Sequence, residues 1–189
     1  MAKLTFGKQK KRMNYDLLRV ILTWTLEILM VCFVAFICVW FWGFRVSMIG
    51  DSMSPQMANG DIMLVNRIAY SMGTPKRGDV VAFKPNGNEN SHYYVKRVIG
   101  LPGERVEVQK GAILINGKKI TEKYQTTALK ELGLLEEAIE LGVDEYFLLG
   151  DDRQNSEDSR SADIGNVKRT DIIGEVWFVT TGKRFGFVK

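Results

Sequence analysis

Between residues 20 and 42 the chain is apolar at every position except Thr23, Thr25 and Glu27. About 23 residues at roughly 1.5 Å each reach about 34 Å, enough to span a bilayer with some tilt. Beyond residue 43 the pattern changes to short β-branched and aromatic runs separated by turn residues. It predicts strands at 46–49, 62–65, 80–83, 93–99, 106–109 and 112–116, with a final pair at 146–149 and 172–180. Asn116-Gly117, between Ile113-Leu114-Ile115 and Lys118-Lys119-Ile120, is a two-residue hairpin signal. Only 126–141 has a helical period, with Ala128, Leu132, Leu135 and Ile139 on one stripe and Gly142 as its stop. The expected class is mainly β: one N-terminal transmembrane helix, then an antiparallel sheet domain with one short helical insertion.

Charge orients this arrangement. Lys3, Lys8, Lys10, Lys11, Arg12 and Arg19 precede the apolar run, and Arg45 is the one cation close behind it. The positive-inside rule therefore predicts a basic cytoplasmic tail (1–19), a transmembrane helix (20–42) and an extracytoplasmic β-rich domain (43–189). Phe41, Trp42 and Phe44 suit the outer interface, and Glu27 falls near the inner end. A cleaved secretory signal also begins with cations, but its apolar core is about 7–15 residues long and ends at a small-x-small site. Here the run is longer and ends in Phe41-Trp42-Gly43-Phe44-Arg45, so the anchor is expected to stay.

The net charge of +4 does not mark a nucleic-acid binder. Of 26 Lys and Arg and 22 Asp and Glu, seven cations and two acids precede Val46, which leaves nineteen cations against twenty acids in the folded part. A nucleic-acid domain concentrates basic charge on its folded surface. Both cysteines, Cys32 and Cys38, lie in the apolar run and read as small hydrophobes, so no disulfide staples the domain.

Ser52 sits on a tight Gly50-Asp51 turn after a predicted strand and shortly before Pro55, where a side chain is exposed and held still. Its surroundings miss the Gly-x-Ser-x-Gly elbow of α/β-hydrolases. A serine hydroxyl needs an adjacent base. His92, the single histidine, borders the polar stretch 86–91 and reads as a solvated loop residue, with a Ser52/His92 site as the runner-up. Lys96 is the stronger candidate, because a lysine becomes a base once burial removes its charge. Alternation puts Lys96 on the face of Tyr94 and Val98, and Arg97 on that of Val95 and Ile99, and at least one of the two cations is expected to enter an apolar surface. Residues 150–160 carry two arginines among three aspartates, but not the glycine and glutamate of a calcium loop. Ion pairs there would fix the loop and leave Ser156 to orient a neutral amine.

Ser52-Met53-Ser54-Pro55, Gly60-Asp61-Ile62, Arg77-Gly78-Asp79-Val80-Val81-Ala82-Phe83, Tyr94-Val95-Lys96-Arg97-Val98-Ile99-Gly100-Leu101-Pro102-Gly103 and the 150–160 run occur in this order. In that ordered set the chain resembles the bacterial type I signal peptidases, membrane-anchored serine proteases that remove signal peptides from exported preproteins. The resemblance implies Ser52 as acylated nucleophile and Lys96 as general base. It implies that Ser156 bonds the lysine amine, that Asp158 and Arg160 form a supporting ion pair, and that the main-chain N–H of Ser52 donates to the oxyanion. Some members carry a serine two residues before the nucleophile as a second donor; this chain has Gly50. Substrates with small residues at the first and third positions before the cut are implied, and shallow pockets lined by Val46, Met48, Met57 and Val95 would enforce that choice. The expected partners are exported preproteins and the lipid bilayer, without nucleic acid, metal or cofactor. Two alternatives stay open: a membrane-tethered β-domain that binds peptides by strand addition without cutting them, and a soluble Ser/Lys autopeptidase, which the anchor disfavours. Oligomeric state is not legible.

Overall fold

The computed structural model describes residues 14–71, 73–88, 90–181 and 185–188, with the backbone alone at Phe41 and Trp42. Lys3, Lys8, Lys10, Lys11 and Arg12 of the expected basic tail, and the side chains of Phe41 and Trp42, lie outside the described residues. Helix α1 (Tyr15–Trp42) begins five residues before the predicted span. Its stretch Tyr15–Trp40 is long and apolar enough to cross a membrane and is not buried inside the structure. The Thr23 hydroxyl donates to the Val20 carbonyl at 2.8 Å and that of Thr25 to Leu22 at 2.9 Å. Both polar groups are thus satisfied within the helix, as a hydrocarbon environment requires.

Residues 40–189 form a compact unit of their own. Its strands are β1 (Phe44–Ser47), β2 (Ile62–Asn66), β3 (Val80–Phe83), β4 (Tyr94–Gly100), β5 (Arg105–Gln109) and β6 (Ala112–Ile115), followed by β7 (Lys118–Lys119), β8 (Ile139–Glu140), β9 (Glu145–Leu149), β10 (Val167–Lys168), β11 (Ile172–Val179) and β12 (Gly186–Phe187). The larger sheet runs β1-β2-β11-β3-β4-β9-β10, with β12 added to β11; the smaller runs β7-β6-β5-β8. Every pairing among the described residues is antiparallel. The predicted final strands exist as β9 and β11, but they do not pair with each other: β9 lies against β4 and β10, and β11 against β2 and β3. Asn116 and Gly117 both have positive φ, 51° and 75°, and close the predicted β6–β7 hairpin. Lys110-Gly111 closes β5–β6 with the same backbone, a turn whose lysine hid it in the sequence.

The middle of the larger sheet is buried on both faces. Along β3, Val80 and Ala82 join one apolar cluster with Met53, Met63, Val65 and Val95. Val81 and Phe83 join a second, with Val98, Leu148 and Ile172. A third cluster, built on Ile99, Val106, Ile113, Ile115, Phe147 and Leu149, closes the smaller sheet against β4 and β9. A cation on either face of β4 therefore enters an apolar layer.

The predicted helix at 126–141 is not formed. Its place is taken by irregular chain with a single 3₁₀ turn, Gly133–Glu136, followed by β8. Of the expected stripe, Leu132, Leu135 and Ile139 pack on the third cluster, with Leu129 beside them, whereas Ala128 is exposed. What breaks the helix is Gly133, at φ 54°, where a Cβ would strike the Arg160 carbonyl oxygen. Leu134 N–H donates to that same carbonyl at 2.9 Å. Tertiary contact overrides local periodicity here.

Candidate active site

The loop from β1 to β2 holds Ser52 by bonds across its own neck. Gly60 N–H donates to the Met48 carbonyl (2.9 Å) and Met48 N–H to that of Asp61 (2.8 Å). Asn59 N–H donates to Asp51 Oδ1 (2.9 Å), while Asn59 Oδ1 accepts from Gly50 N–H (3.2 Å). Met53 and Met57 are buried beneath the loop as apolar anchors. Gly50, the position where some relatives are expected to carry a serine, has φ 78°, a conformation that L side chains rarely adopt. The loop's own turn thus accounts for the missing hydroxyl.

Lys96 reaches this loop from the middle of β4. Its Nζ lies 2.5 Å from Ser52 Oγ, and the residue is 3% exposed. Val81 is its cross-strand partner on β3, and the Tyr94 ring centroid lies 5.9 Å from Nζ. Burial lowers the Lys96 pKa from 10.5 to about 8. Asp158, Glu157 and Asp151 act against that shift, and Arg160 adds to it.

Arg97, on the opposite face, is also buried. Its Nε and Nη2 donate to the two oxygens of Asp151 at 2.8 and 2.7 Å, its Nη1 to the Gly78 carbonyl at 2.7 Å, and its Nη2 to Gln56 Oε1 at 3.1 Å. The guanidinium lies 3.9 Å from the Tyr124 ring centroid. This bidentate pair ties the serine loop, through Gln56, to the turn after β9. Sequence reading anticipated a buried cation on β4 but named neither Asp151 nor Gln56 as its partner.

Residues 150–160 close around the lysine. Asp158, fully buried, accepts from Arg160 Nε (2.8 Å), Arg160 Nη2 (2.9 Å) and Gly150 N–H (3.0 Å). Arg153 pairs with Glu122 and donates through Nε to the Gly150 carbonyl. Asp152 N–H donates to the Ser52 carbonyl at 3.0 Å. Only glycine fits at 150, because a Cβ there would collide with Ser156 Oγ and the Ser52 carbonyl oxygen. Ser156 Oγ is buried and makes no hydrogen bond among the described residues, so the expected bond to the Lys96 amine is not formed.

A cavity of about 270 Å³ opens on Ser52 and Lys96. Of the four expected pocket residues, Met48 and Val95 line it. Val46 and Met57 do not line it and stand as core positions, in the same buried apolar cluster that also holds Met48 and Val95. Ile49, Tyr93 and Tyr94 complete the lining, together with the polar groups Asp51, Asn155 and Glu157. The sequence offered no signal for Ile49 or Tyr93 beyond their closeness to Ser52 and Lys96. His92 also borders the cavity, exposed, while Lys96 holds the bond to Ser52.

A family model described as signal peptidase, peptidase S26, matches residues 21–181. The chain is 34% identical over 176 residues to signal peptidase I P of Bacillus subtilis subsp. natto, covering 89% of this chain and 91% of that one. It is 33% identical over 175 residues to signal peptidase IB of Staphylococcus aureus strain COL, covering 84% and 88%. A crystal structure of a signal peptidase I from Enterococcus faecalis V583 is 33% identical and covers 55% of this chain and 97% of that one, with a TM-score of 0.44.

Two stability measurements check this geometry. Asp151→Ala strands the Arg97 guanidinium and is expected to cost about 3–5 kcal/mol, whereas Glu140→Ala, which loses an exposed pair with Arg105, costs less than about 1 kcal/mol. Equal losses in chemical denaturation would contradict the buried-pair account. Lys96 titrates near 8 when folded and near 10.5 when free, so between those values the unfolded chain binds more protons and stability rises with pH. Below pH 8 the buried ammonium costs about 3 kcal/mol. Relative to Lys96→Met, the wild type should therefore gain up to about 3 kcal/mol between pH 7 and 10.5; a difference that stays constant with pH would refute a depressed amine.

Proposed function

This chain belongs to the signal peptidase, peptidase S26, family and is a serine endopeptidase; on that premise we propose that it cleaves N-terminal signal peptides from exported preproteins, with Ser52 as nucleophile and neutral Lys96 as its base. One observation carries the reading: the 2.5 Å contact between a buried lysine nitrogen and a serine oxygen that opens on a cavity. With its pKa lowered to about 8, the amine is partly neutral at physiological pH.

Neutral Lys96 takes the Ser52 proton as Oγ forms a bond to the scissile carbonyl carbon. The negative charge then moves to the carbonyl oxygen, where the main-chain N–H of Ser52 donates to it; one such donor is worth roughly 3–4 kcal/mol. Collapse breaks the C–N bond, the Lys96 ammonium returns its proton to the leaving amine, and an acyl-enzyme remains. Water, deprotonated by the same amine, releases the acid and restores Ser52. Ser156, with a buried and otherwise unpartnered hydroxyl, accepts from the ammonium when Lys96 carries the proton. The Asp158–Arg160 pair holds that loop in place. Met48 and Val95 shape the shallow subsites that admit small residues before the cut. Helix α1 anchors the enzyme with its N-terminus in the cytoplasm and the catalytic unit outside, supported by the cation excess ahead of the helix.

Two experiments test this. Detergent-solubilised wild type is expected to cut a preprotein after a small residue, read by mass spectrometry, and Ser52→Ala and Lys96→Ala to lose on the order of 10³-fold in kcat/KM. The wild-type kcat/KM should rise tenfold per pH unit and level off near pH 8. Loss of cleavage in His92→Ala with normal turnover by Lys96→Ala would transfer the base to His92. For topology, protease added outside right-side-out membrane vesicles should digest the 43–189 unit; complete protection would reverse the orientation.

A further inference from the structure

The cavity at Ser52 has a charge imbalance that the hydrolysis does not require. Its lining holds Asp51, Glu157, Lys96 and His92, together with the phenols of Tyr93 and Tyr94. Before the proton transfer proposed above Lys96 is neutral, so no ammonium balances the two carboxylates as substrate is first engaged. Glu157 is exposed, and its one hydrogen bond among the described residues is a long one, 3.4 Å from the Tyr94 hydroxyl. Asp51 is also exposed and spends one oxygen on Asn59 N–H. Neither carboxylate is paired with a cationic side chain among the described residues. The backbone that carries Glu157 is nonetheless fixed on both sides. Asp158 is buried in its pair with Arg160, and the Ser156 carbonyl accepts from Arg160 Nη2 at 3.3 Å. These contacts therefore keep Glu157 in the cavity lining, with its carboxylate meeting solvent.

We propose that Glu157, assisted by Asp51, is a specificity-determining residue that favours substrates carrying a lysine or arginine within a few residues of the cleaved bond and disfavours those carrying an aspartate or glutamate there. The inference rests on the peptidase reading, because it takes this cavity as the place where the chain to be cut lies. The attraction exists before the chemistry and persists through it, so it acts on KM more than on kcat. Because both carboxylates meet solvent, the effect is modest and is screened by salt.

The test uses a cleavable peptide with alanine at the first and third positions before the cut and uncharged residues elsewhere. Derivatives carry a single Lys or a single Glu at each of the other positions within three residues of the cut. For the wild type at low salt, the Lys-to-Glu ratio of kcat/KM is expected to reach about fivefold at one or more positions, carried by KM, and to fall toward one in 1 M salt. In Glu157→Gln the ratio should fall to about twofold, and in Glu157→Lys it should drop below one. Using a ratio within each variant removes any overall change in turnover, and the salt dependence of the wild type needs no variant at all. A ratio near one at every position, or one unaltered in Glu157→Gln, would overturn the proposal while leaving the peptidase intact. Failure of the wild type to cut the uncharged parent would overturn the peptidase reading itself.

Discussion

A lysine nitrogen kept out of water beside a serine hydroxyl is the constraint around which the unit beyond the helix is organised. An ammonium is strongly hydrated, and moving it into an apolar layer favours the form without charge. The surrounding structure supplies that layer and then avoids undoing it. Asp158 alone, close to Lys96, would hold the lysine charged; pairing with Arg160 sets an opposing charge beside it, and the two act on Lys96 in opposite directions. Burial remains the larger influence.

Position matters as much as burial, since the lysine nitrogen and the serine oxygen belong to residues 44 apart in sequence. The serine loop is anchored by Met53 and Met57 below, by the Asp51–Asn59 contacts across its neck, and by Asp152 N–H on the Ser52 carbonyl. Gly150 permits the last of these, because any side chain there would push the two loops apart. Arg97 joins the same two loops from the other face of β4, through Gln56 and Asp151. Adjacent residues of one strand thus serve different ends: the cation that can lose its proton meets the Ser52 hydroxyl, and the one that keeps its charge braces the scaffold.

The smaller sheet takes part in this bracing. The stretch at 126–141 touches the 150–160 segment through Thr127 N–H on the Asp151 carbonyl, Leu134 N–H on the Arg160 carbonyl, and Arg160 Nη1 on the Glu131 carbonyl. It is a strap over the 150–160 segment, and its extended form follows from those backbone contacts.

Much of this was legible in the sequence. Runs of β-branched and aromatic residues between turn signals marked most strands of the larger sheet, Asn116-Gly117 marked a hairpin, and an apolar run of bilayer length marked α1, because each depends on neighbours along the chain. The contact between Lys96 and Ser52 was anticipated through chemistry: one serine on a tight turn, and one lysine among apolar strand residues. Other features were decided only when distant segments met. Both cations of β4 are buried because the sheet is covered on both faces, which alternation on one strand does not disclose. Residues 126–141 gave up a helical period because Gly133 must pass close to the Arg160 backbone. Val46 and Met57 went to the core, and Ile49, Tyr93 and Glu157 to the cavity, because a pocket is made by what packs behind it as much as by what lies beside it in sequence.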